Sequence, residues 1–256
     1  MLPVDRKILR KMKYLSDLEG IMNRYLKEGR NWESHLENTR NFILDCLRSN
    51  ANNTVTILGS GWLLDVPLTD LNDRCEKIVL VDIFHPPQIK HKMRKYPKVK
   101  LVTQDITGGT VNEVFTLVQE FRRSGIKRTI KEIAVPGFTS ASDPGYVVSL
   151  NVLNQLDILI IDYLKKFNIY DENELLELRR RIQKAHLDSL PPDNSCLITD
   201  YEEKIFHHDR LEKTSPLIFI PLPRRGNQKT WEWNFDSSKS YYPERTTTFN
   251  VIALQI

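Results

Sequence analysis

Apolar positions recur along this chain in two different rhythms, and the change between them falls near residue 50. In the first stretch Leu15, Leu18, Met22, Tyr25 and Leu26 return at steps of three and four, the spacing of one helix face. Ser16 and Glu19 form a capping-box pattern, so a helix from Ser16 to Lys27 is expected, ended by Gly29. Asn31 then caps a second helix whose apolar face reads Trp32, Leu36, Thr39, Phe42, Ile43, Cys46 and Leu47, with His35 on the same face. The polar run Ser49-Asn50-Ala51-Asn52-Asn53 is rich in turn formers and closes this part. Residues 1–50 are therefore expected to form a helical arm or lid, and residues 51–256 the main domain.

After the break the rhythm changes to short β-branched or aliphatic runs of strand length. These are Thr54 to Leu58, Lys77 to Phe84, Val99 to Val102, Tyr146 to Leu150 and Ser195 to Thr199. Helical spacing returns between them, in Thr110 to Arg123 and in Asp171 to Leu190, where Asp171 and Glu174 supply the cap. Strands alternating with helices predict a parallel sheet covered on both faces. Leu217 to Leu222, Trp231 to Phe235 and Thr247 to Ile256 are strand-like with only loops between them, one containing Arg224-Arg225-Gly226-Asn227. The expected fold class is α/β: a doubly wound, mostly parallel sheet with antiparallel C-terminal edge strands, preceded by the N-terminal helical arm.

Composition changes this picture little. Of 256 residues 40% are hydrophobic and 27% charged, which excludes a disordered chain or a collagen-like repeat. The longest apolar-looking run, Val147 to Leu164, is interrupted by Asn151, Asn154, Asp157 and Asp162, so no membrane span is expected. The first residues lack the charged-then-apolar order of a secretion signal, which predicts a cytoplasmic protein. Cys46, Cys75 and Cys196 are odd in number and far apart, the pattern of reduced, buried thiols. The net charge of +4 is local: Lys90 to Lys100 and Arg122 to Lys131 carry most of the basic clusters, which read as solvated faces or as a weak nucleic-acid signal.

The chemistry gathers at strand ends. Thr54-Val-Thr-Ile-Leu-Gly59-Ser60-Gly61 is a strand running into two glycines, which permit a turn with positive φ and a close passage of ligand over backbone. Asp82 ends the next strand 21 residues after Gly61, close to the ~20 expected of a carboxylate that binds ribose hydroxyls. Asp105-Ile106 ends the third strand. Each acid has an ordinary alternative as the cap of the following helix, but the joint pattern favours a nucleoside-shaped site. A dinucleotide fingerprint would require glycine at position 64, where Leu64 stands.

With these residues the sequence resembles the class I S-adenosylmethionine-dependent methyltransferases, over about Thr54 to Thr199. The resemblance implies a Rossmann-type fold and S-adenosylmethionine as cofactor. Gly59-Ser60-Gly61 matches the family's first motif, which passes under the methionine part of the cofactor. Asp82, followed by Ile83, takes the place of the acid that holds the ribose, and Asp105-Ile106 that of the pair beside the adenine. Tyr146 to Leu156 resembles the fourth motif, which puts Asn151 near the cofactor and the acceptor. The chain departs from the family at Ile57, where an acid is usual, and at Leu63, where a third glycine often stands; Asp65 is then the candidate for the missing polar contact. No Asn-Pro-Pro-Tyr or Asp-Pro-Pro-Tyr tetrad follows the fourth strand, against an enzyme acting on amino groups of nucleic-acid bases.

Methyl transfer from a sulfonium is an in-line displacement, and holding donor and acceptor in line supplies ~7–11 kcal/mol. A base is needed only where the acceptor keeps a proton. His35 with Trp32, and Asn151, are the candidates; the burial ranking favours a core histidine for His35, and no catalytic residue is assigned. His207-His208-Asp209 suggests no metal site, because neighbouring side chains diverge and no third ligand has suitable spacing. The expected activity is methyl transfer to a small-molecule acceptor. The rival readings are a catalytically silent Rossmann-type binding module and an RNA-directed methyltransferase.

Overall fold

β-Branched and aliphatic residues make the five predicted parallel segments into strands: β1 (Thr54–Leu58), β2 (Lys77–Asp82), β3 (Val99–Thr103), β4 (Tyr146–Leu150) and the first half of β5 (Ser195–His207). The structure, a computed structural model, describes residues 3–48, 53–140, 142–223 and 226–256. Three further strands follow, β6 (Arg210–Pro216), β7 (Gln228–Asp236) and β8 (Arg245–Gln255). All eight join one sheet in the order β3-β2-β1-β4-β5-β8-β7, with β6 paired to β5 off this path. Pairs among β1 to β5 are parallel, whereas β5–β6, β5–β8 and β7–β8 are antiparallel. This is the doubly wound, Rossmann-like arrangement with antiparallel C-terminal edge strands that the sequence predicts.

Two cores sandwich the sheet. Val55, Ile57, Ile78, Leu80, Tyr146, Val148 and Ile198 face one side, against helices α2 (Tyr14–Arg48), α3 (Leu68–Arg74) and α4 (Pro87–Met93). The alternate residues Leu58, Val81, Val147 and Leu197 face the other, where Leu187 of α7 (Glu172–Asp188) and Leu190 just beyond it pack. Helices α1 (Arg6–Lys11), α5 (Thr110–Ser124), α6 (Ile158–Lys165) and α7 share a third apolar cluster. Burial on both sheet faces explains why the parallel strands read as continuous apolar runs. Cys46, Cys75 and Cys196 are buried, and none of the three forms a disulfide. Among the described residues no helix is long and apolar enough to cross a membrane.

The structure corrects several expected elements. The two helices expected on either side of Gly29 are one, α2, of 35 residues, and Gly29 does not end it. A mid-helix glycine costs ~1 kcal/mol, less than the buried stripe Trp32, Leu36, Phe42, Ile43 and Cys46 restores on its far side. Ser16 and Asn31 are consequently not caps: Ser16 donates to the Lys13 carbonyl at 2.9 Å, and Asn31 donates to Glu28 at 2.7 Å. The break between α1 and α2 comes earlier, at Lys13, whose φ is 68°. Leu217 to Leu222 is irregular chain, interrupted by Pro221 and followed by Pro223, which lack the N–H a strand needs; the strand lies just before it, in the exposed β6. The second strand stops at Asp82, short of Phe84. Of the expected boundary at Ser49–Asn53 only Asn53 is described, and Arg224 and Arg225 also fall outside the described residues.

Candidate functional site

The chain crosses from one half of the sheet to the other between β1 and β4, and doubly wound sheets bind ligands at that reversal, beyond the carboxyl ends of the strands. A cavity of about 540 Å³ opens there. It is lined by Gly59, Ser60, Gly61, Asp65, Asp82, Ile83, Asp105, Ile106 and Asn151 among others, so every site residue expected from the sequence borders this one cavity. Its size falls in the range of about 300–1,000 Å³ common for small-molecule sites.

The glycine loop owes its path to close packing. Gly59 has φ 85°, and a Cβ there would meet Val152 Cγ1 at 2.0 Å and the Leu150 carbonyl at 2.7 Å. Gly61 has φ 45°, but a Cβ would meet nothing within 4 Å, so its exposed face borders open cavity. The Gly61 N–H donates to Asp82 Oδ2 at 2.8 Å, which fixes the loop against the end of β2. Asp82 Oδ1 accepts from the Phe84 N–H at 3.4 Å and the Ile83 N–H also bonds the carboxylate, which still retains acceptor capacity. Burial raises the Asp82 pKa above the usual carboxylate range, with the Gly61 hydrogen bond acting in the opposite direction.

Asp105 is held differently. Its Oδ1 accepts from the Thr107 N–H at 2.8 Å and the Thr107 hydroxyl at 2.6 Å, and its Oδ2 from the Gly109 and Val111 N–H groups at 3.1 and 3.3 Å. Four donors use the ~4 lone-pair positions of a carboxylate. The side chain therefore ties the end of β3 to the start of α5, the helix-capping alternative noted for strand-end acids, and Ile106 borders the cavity beside it.

Asn151 stands at the end of β4 with φ 51°, its N–H on the Ile198 carbonyl at 2.8 Å. Its Nδ2 donates to Asp65 Oδ2 at 2.8 Å, and its Oδ1 is buried without a hydrogen-bond partner, as is Ser60 Oγ. Both orphaned oxygens belong to cavity-lining residues. Burial lifts the Asp65 pKa to about 6 despite the Asn151 bond.

The far wall was not anticipated. It consists of Asp200 and Glu203 on β5, Trp233 and Phe235 on β7, Phe249 on β8, and Tyr241 and Tyr242 in the loop before β8. Asp200 carried a readable signal, since Thr199-Asp200 repeats the strand-then-acid pattern of Asp82; the aromatic residues carried none. Asp200 is 2% exposed, accepts from Asn154 Nδ2 at 3.4 Å through Oδ2, and leaves Oδ1 unpartnered. Burial, with the Asp65 charge adding to it, pushes Asp200 up to about 7.

Helix α2 completes the enclosure with Leu18, Ile21, Arg24, Trp32, His35 and Leu36 on its cavity face. Trp62 Nε1 donates to the Leu18 carbonyl at 2.7 Å and Trp32 Nε1 to the Phe235 carbonyl at 2.9 Å, so the helix is pinned to both walls. His35 stacks on Trp233 with ring centres 3.9 Å apart, and its Nδ1 accepts from Trp231 Nε1 at 3.1 Å. Burial depresses its pKa to about 3, so the ring is neutral with its proton on Nε2. His207-His208-Asp209 occupies the β5–β6 hairpin turn, with positive φ at His208 and Asp209.

Glu28 fastens α2 to the loop carrying the two tyrosines. It accepts from the Ser238 N–H and the Ser237 hydroxyl at 2.8 Å each and from Asn31 at 2.7 Å. Burial opposes its ionisation, but the bonds from Ser238, Asn31 and Ser237 together outweigh it and hold the pKa at about 2. Because the folded-state pKa lies below the unfolded one, the stabilisation is complete above pH ~4.5 and fades as pH falls toward ~2, a total of about 2–3 kcal/mol. Urea unfolding of the wild type and Glu28→Gln between pH 5 and 2.5 should accordingly show the wild type's advantage shrinking with acid. A constant or growing advantage would contradict the assignment.

No protein-family model matches the chain, and no curated protein matches it significantly in sequence. In fold it is similar to the N-methyltransferase NodS from Bradyrhizobium japonicum WM9, solved with S-adenosyl-L-homocysteine, at 11% identity and TM-score 0.39 over 84% of this chain and 85% of that one. It is also similar to the methyltransferase domain of bacterial CtHen1-C, at 12% identity and TM-score 0.34 over 86% and 99%. A third likeness is to the Burkholderia thailandensis 1,6-didemethyltoxoflavin-N1-methyltransferase with bound 1,6-didemethyltoxoflavin and S-adenosylhomocysteine, at 12% identity and TM-score 0.35 over 99% and 94%.

Proposed function

We propose that the protein is an S-adenosylmethionine-dependent methyltransferase acting on a small-molecule acceptor. One observation carries the reading: the glycine loop, Asp82, Ile106, Asp65 and Asn151 converge on one cavity at the sheet's reversal point. The open space over Gly61 and the orphaned Ser60 and Asn151 oxygens fit a polar ligand lying along the loop. When bound, S-adenosylmethionine supplies an electrophilic methyl group on a sulfonium. The Gly61 backbone gives it passage, Asp82 Oδ1 accepts ribose hydroxyls, Ile83 and Ile106 flank the base, and Asp65 with Asn151 faces the methionine part. Seven carboxyl side chains line the cavity against the guanidinium groups of Arg24 and Arg179, which suits a cationic ligand.

The N-terminal arm serves in this reading as the wall that selects the acceptor, through Tyr14 to Leu36. The acidic lining speaks against a polyphosphate chain entering the site, and the basic residues from Lys90 to Lys100, which lie on α4, the exposed loop after it and β3, do not line the cavity.

Isothermal titration with S-adenosylmethionine and S-adenosylhomocysteine tests the proposal, and absence of heat at protein concentrations near ~100 μM excludes it. Binding without turnover on a broad acceptor panel would instead favour the silent module. Asp82→Ala should weaken S-adenosylhomocysteine binding ~10–100-fold, the worth of a charge-assisted hydrogen bond to a hydroxyl pair. An unchanged affinity removes Asp82 from the ribose.

A further inference from the structure

We infer that the acceptor is an amine, held and deprotonated by Asp200. The inference rests on the methyltransferase reading for the position of the methyl donor, but its observations come from β5 and the residues around it. Asp200 lies two residues past Ile198, the β5 residue paired with Leu150 at the end of β4. It borders Asn154 and senses the charge of Asp65, which places it near the Asp65–Asn151 pair. Its Oδ1 is buried and unpartnered on a cavity-lining side chain, and burying a carboxylate oxygen without a donor is costly. A ligand that supplies an N–H relieves that cost.

The surroundings narrow the ligand's chemistry. Glu203, 7% exposed, lines the same wall and is held by the Tyr242 hydroxyl at 3.2 Å. Trp233, Phe235, Phe249 and Tyr241 face a charge-poor ligand or a cation with ring surfaces. The wall already accepts one cation of the chain itself: the Arg24 guanidinium lies 4.6 Å from the Phe235 ring centre and 4.7 Å from that of Tyr241. Carboxylate and phosphate acceptors would add negative charge beside Asp200, Glu203 and Asp65. An alcohol satisfies Oδ1 but brings no positive charge to match these acids.

The proton and electron balance is simple. Bound as an ammonium, the amine first gives one proton to Asp200 Oδ1, which frees the nitrogen lone pair. That pair forms the new N–C bond as the S–C bond breaks, the S–C bonding pair leaves on sulfur, the product departs as the methylated ammonium, and Asp200 returns its proton to solvent. A carboxyl raised to about 7 is suited to taking a proton near neutrality. Asp200 is thus the catalytic residue of this proposal, and Glu203 and Tyr242 are positioning residues.

Calorimetric binding tests it without turnover. The S-adenosylhomocysteine affinity is measured first, and then putrescine, phenethylamine and tryptamine are titrated into protein with and without S-adenosylhomocysteine, against 3-phenylpropionate and 2-phenylethanol. At least one amine should bind ~10–100-fold more tightly than both controls. Asp200→Asn should erase that preference while S-adenosylhomocysteine affinity and melting temperature stay near wild type, and Glu203→Gln should reduce it less. No amine binding, equal binding of the controls, or an undiminished preference in Asp200→Asn overturns the inference. So does a loss of S-adenosylhomocysteine affinity in Asp200→Asn with the amine preference intact, which assigns Asp200 to the cofactor. Failure of S-adenosylhomocysteine to bind the wild type refutes the methyltransferase reading separately, and the amine preference remains measurable on the protein alone.

Discussion

Asp105→Ala is expected to cost about 3–5 kcal/mol of stability, because removing one side of a buried, charge-assisted network leaves its donors without partners. Four donors are affected: the N–H groups of Thr107, Gly109 and Val111 and the Thr107 hydroxyl. The carboxylate is 2% exposed, so water does not readily replace it. Asp105→Asn keeps one acceptor oxygen and should lose roughly half as much. For a chain of this size each kcal/mol lowers the melting temperature by ~2–4 °C, so the alanine variant should melt ~6–20 °C lower. S-Adenosylhomocysteine affinity, measured where the variant is still folded, should change far less than in Asp82→Ala. A stable Asp105→Ala protein with badly weakened cofactor binding would reverse the roles of the two acids.

The second large effect is expected at Gly59. Alanine there must adopt a left-handed conformation, at ~1–2 kcal/mol, and its methyl overlaps Val152 Cγ1 at 2.0 Å and the Leu150 carbonyl at 2.7 Å. The carbonyl belongs to the backbone of β4 and cannot turn aside as a side chain can. Overpacking of this kind adds ~1–3 kcal/mol, for a total of about 2–5 kcal/mol. The neighbouring Gly61→Ala provides the control: its φ of 45° carries strain, but no atom stands within 4 Å of the new methyl. Gly61→Ala should therefore be stabler than Gly59→Ala by at least ~1 kcal/mol, with its damage appearing in cofactor binding. In Gly59→Ala the ends of β1 and β4 are pushed apart, and a shift of ~1 Å in the loop is enough to lower turnover ~100-fold. Denaturant unfolding of the two proteins side by side decides this, and equal stability would show that the Val152 contact relaxes freely.

Near the glycine loop the sequence was legible because local signals and tertiary placement coincide. An apolar strand followed by glycine or acid fixes both the element and the edge of the sheet at which its end emerges, so Gly59, Asp82 and Asp105 group from the sequence alone, while Asn151 joins them only through the family resemblance. What the strand-end pattern leaves open is the use of each carboxylate. Asp82 and Asp105 look alike in sequence, yet the first retains capacity for a further donor whereas the second is filled by donors up to the start of α5, a difference set by the path of residues 106–111. The far wall was hidden for another reason. Trp233, Phe235 and Tyr241 belong to an antiparallel region whose alternation marks strands but not what their faces meet. The exposed β6 has no apolar alternation at all, and Gly29 gave a false helix end because its cost is local whereas the stripe that overrides it is tertiary.

The bonds that close the cavity join residues far apart in the chain: Trp32 to the Phe235 carbonyl across 203 positions and Glu28 to Ser238 across 210. During synthesis the glycine loop and the first four strands emerge long before β7 exists. Until residues 228–255 have been made, the cavity face of α2, with Trp32 and His35 on it, has no partner sheet edge to cover it. The ligand chamber is thus the last part of the molecule to become whole, and its earliest residues wait longest for their neighbours.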